Sequence, residues 1–199
     1  MPVEADRKSQ TRREILAAAS RQFRAHGFEG ASVGSIMREA GLTHGGFYAH
    51  FESKDDLVAE VIGSGFDDVS ERFEAGFDAL SGEDWLKAWV AGYLSDGHLR
   101  SPGIGCPMPV LAGEISRTGE RSRGAFTGLF ERRLAKAAGH VDAPRREAER
   151  RVMAAVSQAA GALMLARTLT NRRSKEIRQA AADEAISTLL GRPATVRIK

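Results

Sequence analysis

The chain has one cysteine, no long apolar run and no strong excess of charge, and each shortage closes off a class of protein. A single thiol, Cys106, rules out an intramolecular disulfide, and no histidine is spaced around it as a metal ligand set would be. The most apolar stretch, Val152 to Ala166, is broken by Ser157 and Gln158 and reads as a buried helix. With no apolar leader either, the expected location is the cytoplasm, away from any membrane. A net charge of +3 with a sequence pI near 9.3 is compatible with a nucleic-acid partner. It is too slight for a protein that coats DNA indiscriminately. Convergent acid, base or nucleophile groups are also missing. Glu114 and His140 stand isolated, so a helical-bundle enzyme is the weakest alternative and no cofactor is expected.

What is present is punctuation. In Gly41-Leu42-Thr43-His44-Gly45-Gly46-Phe47-Tyr48-Ala49-His50-Phe51-Glu52-Ser53-Lys54, a helix end is followed by a turn, a very short aromatic helix and the cap of another helix. A helix-turn-helix needs those parts in that order. Upstream, Ile15, Leu16, Ala19 and Phe23 recur at helical spacing from Ser9 to Ala25, and Gly27 stops that helix. Ser32 is placed to cap a second helix with Ile36 and Met37 inside, ending at Gly41. Thr43 caps the third, which reaches about Phe51. Ser53 caps the fourth, with Asp56 completing a capping-box-like pair.

Such a short helix presents its N-terminal residues to base edges in the major groove. Thr43 and His44 are the candidate base readers, and Gly45 and Gly46 allow close backbone approach. Tyr48, His50 and Lys54 are donors placed for phosphates, which position a protein without reading sequence. Phe47 has two readings, a contact to a thymine methyl or an ordinary core ring; Phe51 reads as core. The amides opening the Ser53-capped helix point toward an anion. Arg7, Lys8, Arg12 and Arg13 form either a basic arm that reaches DNA or a solvated terminus.

Phe23, Gly27, Ser32-Val33, Ile36, Ala40-Gly41, Thr43-x-Gly45-x-Phe47-Tyr48-x-His50-Phe51 and Ser53-Lys54 together resemble the TetR family of bacterial repressors. The resemblance covers about the first quarter of the chain. Gly46 beside Gly45 departs from the usual single glycine, and weakens a short helix by ~1 kcal/mol against alanine. The resemblance implies an all-α protein, with a three-helix helix-turn-helix head at 1–54 joined to a larger helical-bundle body at 55–199. It also implies a palindromic operator, a homodimer and an effector that releases DNA.

The body reads as helices nearly to its end. Leu57 to Phe73 form a long amphipathic helix interrupted at Gly63-Ser64-Gly65, which is either a packing kink or a hinge. A second helix carries Trp85, Leu86, Trp89, Val90 and Tyr93, and His98 to Gly105 read as a loop. Further helices are expected at about 107–117, 122–138, 144–171 and 174–190. The last two carry small and apolar residues (Val152, Val156, Ala159, Gly161, Leu163; Ile177, Ala181, Ala185, Ile186) suited to pairing with a second copy, and core packing within one chain is the alternative.

Trp85, Trp89 and Tyr93 share a helix face, and Met108, Phe126, Phe130, Met153 and Met164 are candidates to face them around a pocket for an apolar or aromatic ligand. Cys106 precedes a helix start, where a thiol's pKa falls and reactivity rises. Gly105-Cys106 and Val110-Leu111-Ala112-Gly113-Glu114-Ile115 resemble the NemR-like branch of the family, which implies sensing of electrophiles or oxidants. A buried, inert cysteine is the other reading. The expected function is a DNA-binding transcriptional regulator, a repressor in preference to an activator, released from a palindromic operator by a small apolar or aromatic molecule or by thiol modification of Cys106.

Overall fold

A computed structural model describes residues 2–77, 79–101, 106 and 108–198, with backbone alone at 2–5, 64–72 and 74. Its elements are α1 (Pro2–Gly30), α2 (Val33–Glu39), a 3-10 helix (His44–Ala49), α3 (Lys54–Glu74), α4 (Gly82–Tyr93), α5 (Asp96–Arg100), α6 (Met108–Ile115), α7 (Glu120–Ala138), α8 (Arg145–Thr168) and α9 (Asn171–Leu190). Among the described residues there is no strand, and no helix is long and apolar enough to cross a membrane. The all-α architecture is as expected. The chain divides into two compact units, Met1–Val69 with Val110–Leu129, and Ser70–Pro109 with Phe130–Lys199.

The first unit is organised around buried rings. Ile15, Ala19 and Phe23 of α1 meet Ile36 and Met37 of α2, Phe47 and Phe51, and Leu57, Val58 and Ile62 of α3. Burying a side chain of this size contributes about 1.5–3 kcal/mol. Gly27 ends the regular part of α1 at φ +74°, and Phe28 folds back with its ring edge-on to Phe23 at 5.0 Å. The positive φ at Gly27 calls for glycine, and a Cβ there would also displace the Glu114 carboxylate.

Three points depart from the sequence reading. The first helix begins at Pro2, so Arg7 and Lys8 sit on helix and not on a free arm. Arg12 is engaged within the fold, paired with Glu60 and lying 4.5 Å over the Phe51 ring. α3 runs uninterrupted through Gly63-Ser64-Gly65, because two glycines weaken a long helix without obliging it to break.

This unit also extends past residue 54. Leu111, Ile115 and Leu129 join the same core, and polar contacts accompany them. The Asp55 carboxylate accepts from Ser122 Oγ at 2.6 Å and from the Gly119 amide at 3.2 Å. Arg121 pairs with the buried Asp56 at 2.7 Å.

In the second unit α8 and α9 pack along their length. Ala155, Ala159 and Ala162 face Ala182 and Ala185 within one apolar cluster, and small side chains let the helices approach closely. Gly191 closes α9 in the left-handed region at φ +66°. The tail then lies back along α9, with Ala194 N–H donating to Ser187 Oγ and Val196 N–H to Asp183. The stretch read as a loop from His98 instead contains the end of α5, capped by Ser95. Residues 102–105 and 107 lie outside the described residues.

Candidate nucleic-acid interface

The segment between α2 and α3 is built from its caps. Ser32 accepts the Ser35 amide at 3.0 Å and starts α2, and Gly41 at φ +72° ends it, with Leu42 N–H returning to Met37 O at 2.8 Å. Thr43 then begins a six-residue 3-10 helix without a side-chain capping bond, where the sequence suggested a capped α-helix. The Ser53 cap is present, since its hydroxyl accepts the Asp56 amide at 3.0 Å. Asp56 completes the pair on the Glu52 amide, one residue earlier than a strict capping box.

Exposure separates the candidate DNA contacts. Thr43, His44, Gly45 and Tyr48 are exposed, with Tyr48 at 66%, and Gly46 is half-buried. His44 and Tyr48 lie on one side, ring centroids 6.5 Å apart. A Cβ at Gly45 would project into open space, whereas one at Gly46 would touch Met37 at 3.6 Å. Phe47 is different. It is completely buried and stacks on Phe51 at 5.6 Å, so its ring is the pin that holds the 3-10 helix to the core and cannot meet a base.

His50 and Lys54 are half-buried. Burial, then Lys8 and Arg12, holds the His50 imidazole below its usual pKa, so the ring is neutral at pH 7. The opening of α3 is also less hospitable to phosphate than its amides suggest. Ser53 takes the Asp56 amide, and Asp55 and Asp56 bring negative charge to the same turn. Lys54 is therefore the cation on which a phosphate contact there depends.

The residues proposed for an effector pocket are dispersed. Trp85 is buried, stacked on His140 at 4.1 Å and parallel to Trp89 at 6.3 Å, and Trp89 sits 5.8 Å from Tyr93. These three share one face as expected, and Cys106 is half-buried against the same cluster. Met153 and Met164 do not line it. They are 42% and 47% exposed on the outer side of α8, beside Leu165. Phe126 belongs to the first unit and packs on that unit's core. Met108 and Phe130 are half-buried.

Cys106 is also not the activated thiol its place near a helix start suggested. Burial raises its pKa and outweighs the neighbouring Met108 amide, so the thiol is protonated at neutral pH. Its own amide donates to His98 Nε2 at 2.9 Å, and His98 Nδ1 donates to Tyr93 O at 2.7 Å. The two bonds together specify one neutral tautomer, and burial depresses the imidazole pKa accordingly. Arg167 escaped the sequence reading, which took His98 only as a loop residue and Glu114 only as an isolated acid. Glu114 alone left a trace, as the single charge in the apolar run Met108–Ile115.

The exposed polar edge around Thr43, His44 and Tyr48, held by a buried Phe47 between two capped helices, defines a helix-turn-helix protein. Residues 15–61 match the family model described as bacterial regulatory proteins, tetR family. Over 53 residues the chain is 40% identical to the uncharacterized HTH-type transcriptional regulator YdgC of Bacillus subtilis (strain 168), covering 27% of each. It is 42% identical over 52 residues to the HTH-type transcriptional regulator AcrR of Shigella flexneri, 26% of this chain and 24% of that one. The chain thus spans about a quarter of the length of these curated relatives. A TetR transcriptional regulator from Chloroflexus aurantiacus J-10-FL superposes with TM-score 0.73 at 25% identity, covering 89% of this chain and 94% of that one. The reduced form of E. coli NemR gives the same score at 19% identity, over 95% and 100%, which shows a common fold. Residues 15–61 thus carry a TetR-type helix-turn-helix domain, and the whole chain shares its fold with TetR-family regulators.

Proposed function

We propose that the protein is a cytoplasmic, homodimeric transcriptional repressor that binds a palindromic operator and leaves it when a small molecule occupies the second unit. The observation that carries the reading is the contrast within six residues: Phe47 wholly buried, and Thr43, His44, Gly45 and Tyr48 exposed around it. Thr43 and His44 read bases, Tyr48, His50 and Lys54 meet phosphates, and Gly45 lets the backbone approach. Dimerisation uses α8 and α9, whose inner faces are spent within the chain. The outer surface of α8 offers Met153, Gly161, Met164 and Leu165, and Gly161 has open space above it. A two-fold pair of heads matches half-sites about 34–36 Å apart.

The effector is apolar or aromatic in part and binds near Trp89, Tyr93 and Cys106. It acts by favouring the conformation that fits DNA less well. Thiol modification of Cys106 is the second trigger, and with a protonated thiol it is the slower one. The protein acts by binding and not by catalysis.

Selection of operator sequences from a random DNA pool tests the reading. Two inverted half-sites one helical turn apart are the expected result. An enriched pool without any shared motif would replace this reading with sequence-independent binding.

A further inference from the structure

Gly34 lies in the first turn of α2, behind the Ser32 cap. Among the described glycines a positive φ is taken only at Gly27, Gly41, Gly82 and Gly191, so Gly34 holds backbone that any residue adopts. Glycine inside a helix weakens it and adds no side chain to the packing. What its missing side chain provides is space.

That space is next to His44. A Cβ on Gly34 would stand 3.5 Å from His44 Nδ1 and 3.8 Å from Ser32 Oγ, its nearest neighbours. The imidazole that opens the 3-10 helix therefore lies over the first turn of α2, with Nδ1 toward that helix. Tyr48 meets the same ring edge-on, with 6.5 Å between centroids and 68° between planes. His44 is exposed, so burial does not fix its ring. Its direction depends on Gly34 and Tyr48. With Nδ1 turned to α2, Nε2 is the ring nitrogen left to meet a base edge, and such a bond weakens steeply as it bends.

We propose that Gly34 is a specificity-determining position: it reads no base itself and sets base preference through His44, by leaving the gap in which the imidazole lies with Nε2 outward. It is a positioning residue, and the inference rests on the reading of His44 as a base contact. The built Cβ reaches only ordinary van der Waals distance from the ring, so alanine leaves His44 where it is. A longer side chain competes with the imidazole for the same volume and turns it off α2. Base preference then changes although the residue at position 44 has not.

Operator selection from a random DNA pool, followed by anisotropy titration of the selected duplexes, tests this with the full chain. The variants are Gly34→Ala, Gly34→Leu, His44→Ala and the Gly34→Leu/His44→Ala double substitution. The native chain and Gly34→Ala should select the same half-site. Gly34→Leu should lose ~5-fold or more of the discrimination at the position that His44→Ala relaxes, and keep it elsewhere. In the His44→Ala background it should add nothing, since the ring it displaces is gone. Alanine and leucine both favour helix over glycine, so thermal melts should show no loss of stability in either variant. Unchanged preference in Gly34→Leu, a further shift in the His44→Ala background, or loss of all binding in both backgrounds would overturn the proposal and leave the DNA-binding reading standing. A native chain that selects no motif would overturn that reading and the proposal with it.

Discussion

The Glu114 carboxylate accepts a hydrogen bond from the Phe28 amide at 2.5 Å, across 86 residues of sequence. It ties α6 to the end of α1 within one compact unit, at the one place where Gly27 leaves room for it. The DNA-binding helices are therefore braced by residues 110–129 as well as by each other. Through Glu114, Ser122 and Arg121, displacement of α6 or of the start of α7 bears directly on α1 and α3.

Gly27→Ala should destabilise the protein by about 1–3 kcal/mol, since alanine is strained at φ +74° and its methyl displaces Glu114. Glu114→Ala leaves the Phe28 amide unsatisfied and should cost a similar ~1–3 kcal/mol, with Glu114→Gln milder because an amide oxygen still accepts. Urea denaturation followed by circular dichroism measures all three.

Phe47→Ala should unfold the head, with a loss of about 3–5 kcal/mol for a large buried ring, and abolish DNA binding with it. Tyr48→Ala and Gly45→Ala should leave the melting temperature nearly unchanged and weaken operator binding. Gly46→Ala meets only ordinary contact at Met37 and should stabilise the fold by up to ~1 kcal/mol. Lys54→Ala should reduce the salt dependence of binding by about one phosphate. Paired melting curves and anisotropy titrations separate these effects.

Stability should fall as pH drops below about 6.5, the ordinary histidine value. His98 and His50 are both held below that value in the folded chain, chiefly by burial. Between the ordinary and the depressed pKa the unfolded chain binds more protons, so acid favours unfolding. Above 6.5 neither state is protonated and the contribution is flat. Thermal melts from pH 8 to 5 should show this slope, and His98→Gln should reduce it while lowering stability at pH 8.

Gly161→Arg places a long cation on the outer face of α8 where nothing lies within 4 Å. Light scattering should show the substituted chain as a monomer with unchanged helicity, and the native chain as a dimer. A dimeric Gly161→Arg protein would move the interface elsewhere.

Where backbone chemistry dictates the outcome, the sequence was readable. Gly27, Ser32, Gly41, Ser53 and Gly191 mark helix ends because caps and positive φ depend on local residue type. Apolar spacing likewise placed Ile36, Met37 and the Trp85, Trp89, Tyr93 face. Periodicity cannot say which side of a helix meets which neighbour. Phe47 stood open between a thymine methyl and the core, and Met153 was read as facing the pocket, until packing separated buried residues from exposed ones. Long-range polar contacts such as Glu114 with Phe28, or Arg178 with Asp96, leave almost no local trace. Cys106 shows the same limit, because a helix start is local and the burial that raises its pKa is not.

Fluorescence anisotropy of the purified protein on DNA from upstream of its own gene, against a scrambled duplex at the same salt, tests the central claim most directly. The account predicts binding to the native DNA at least ~10³-fold tighter than to the scrambled duplex, with the preference altered by His44→Ala and the fold intact. Equal affinity for both duplexes, with an operator from the random pool also bound no tighter, would contradict it.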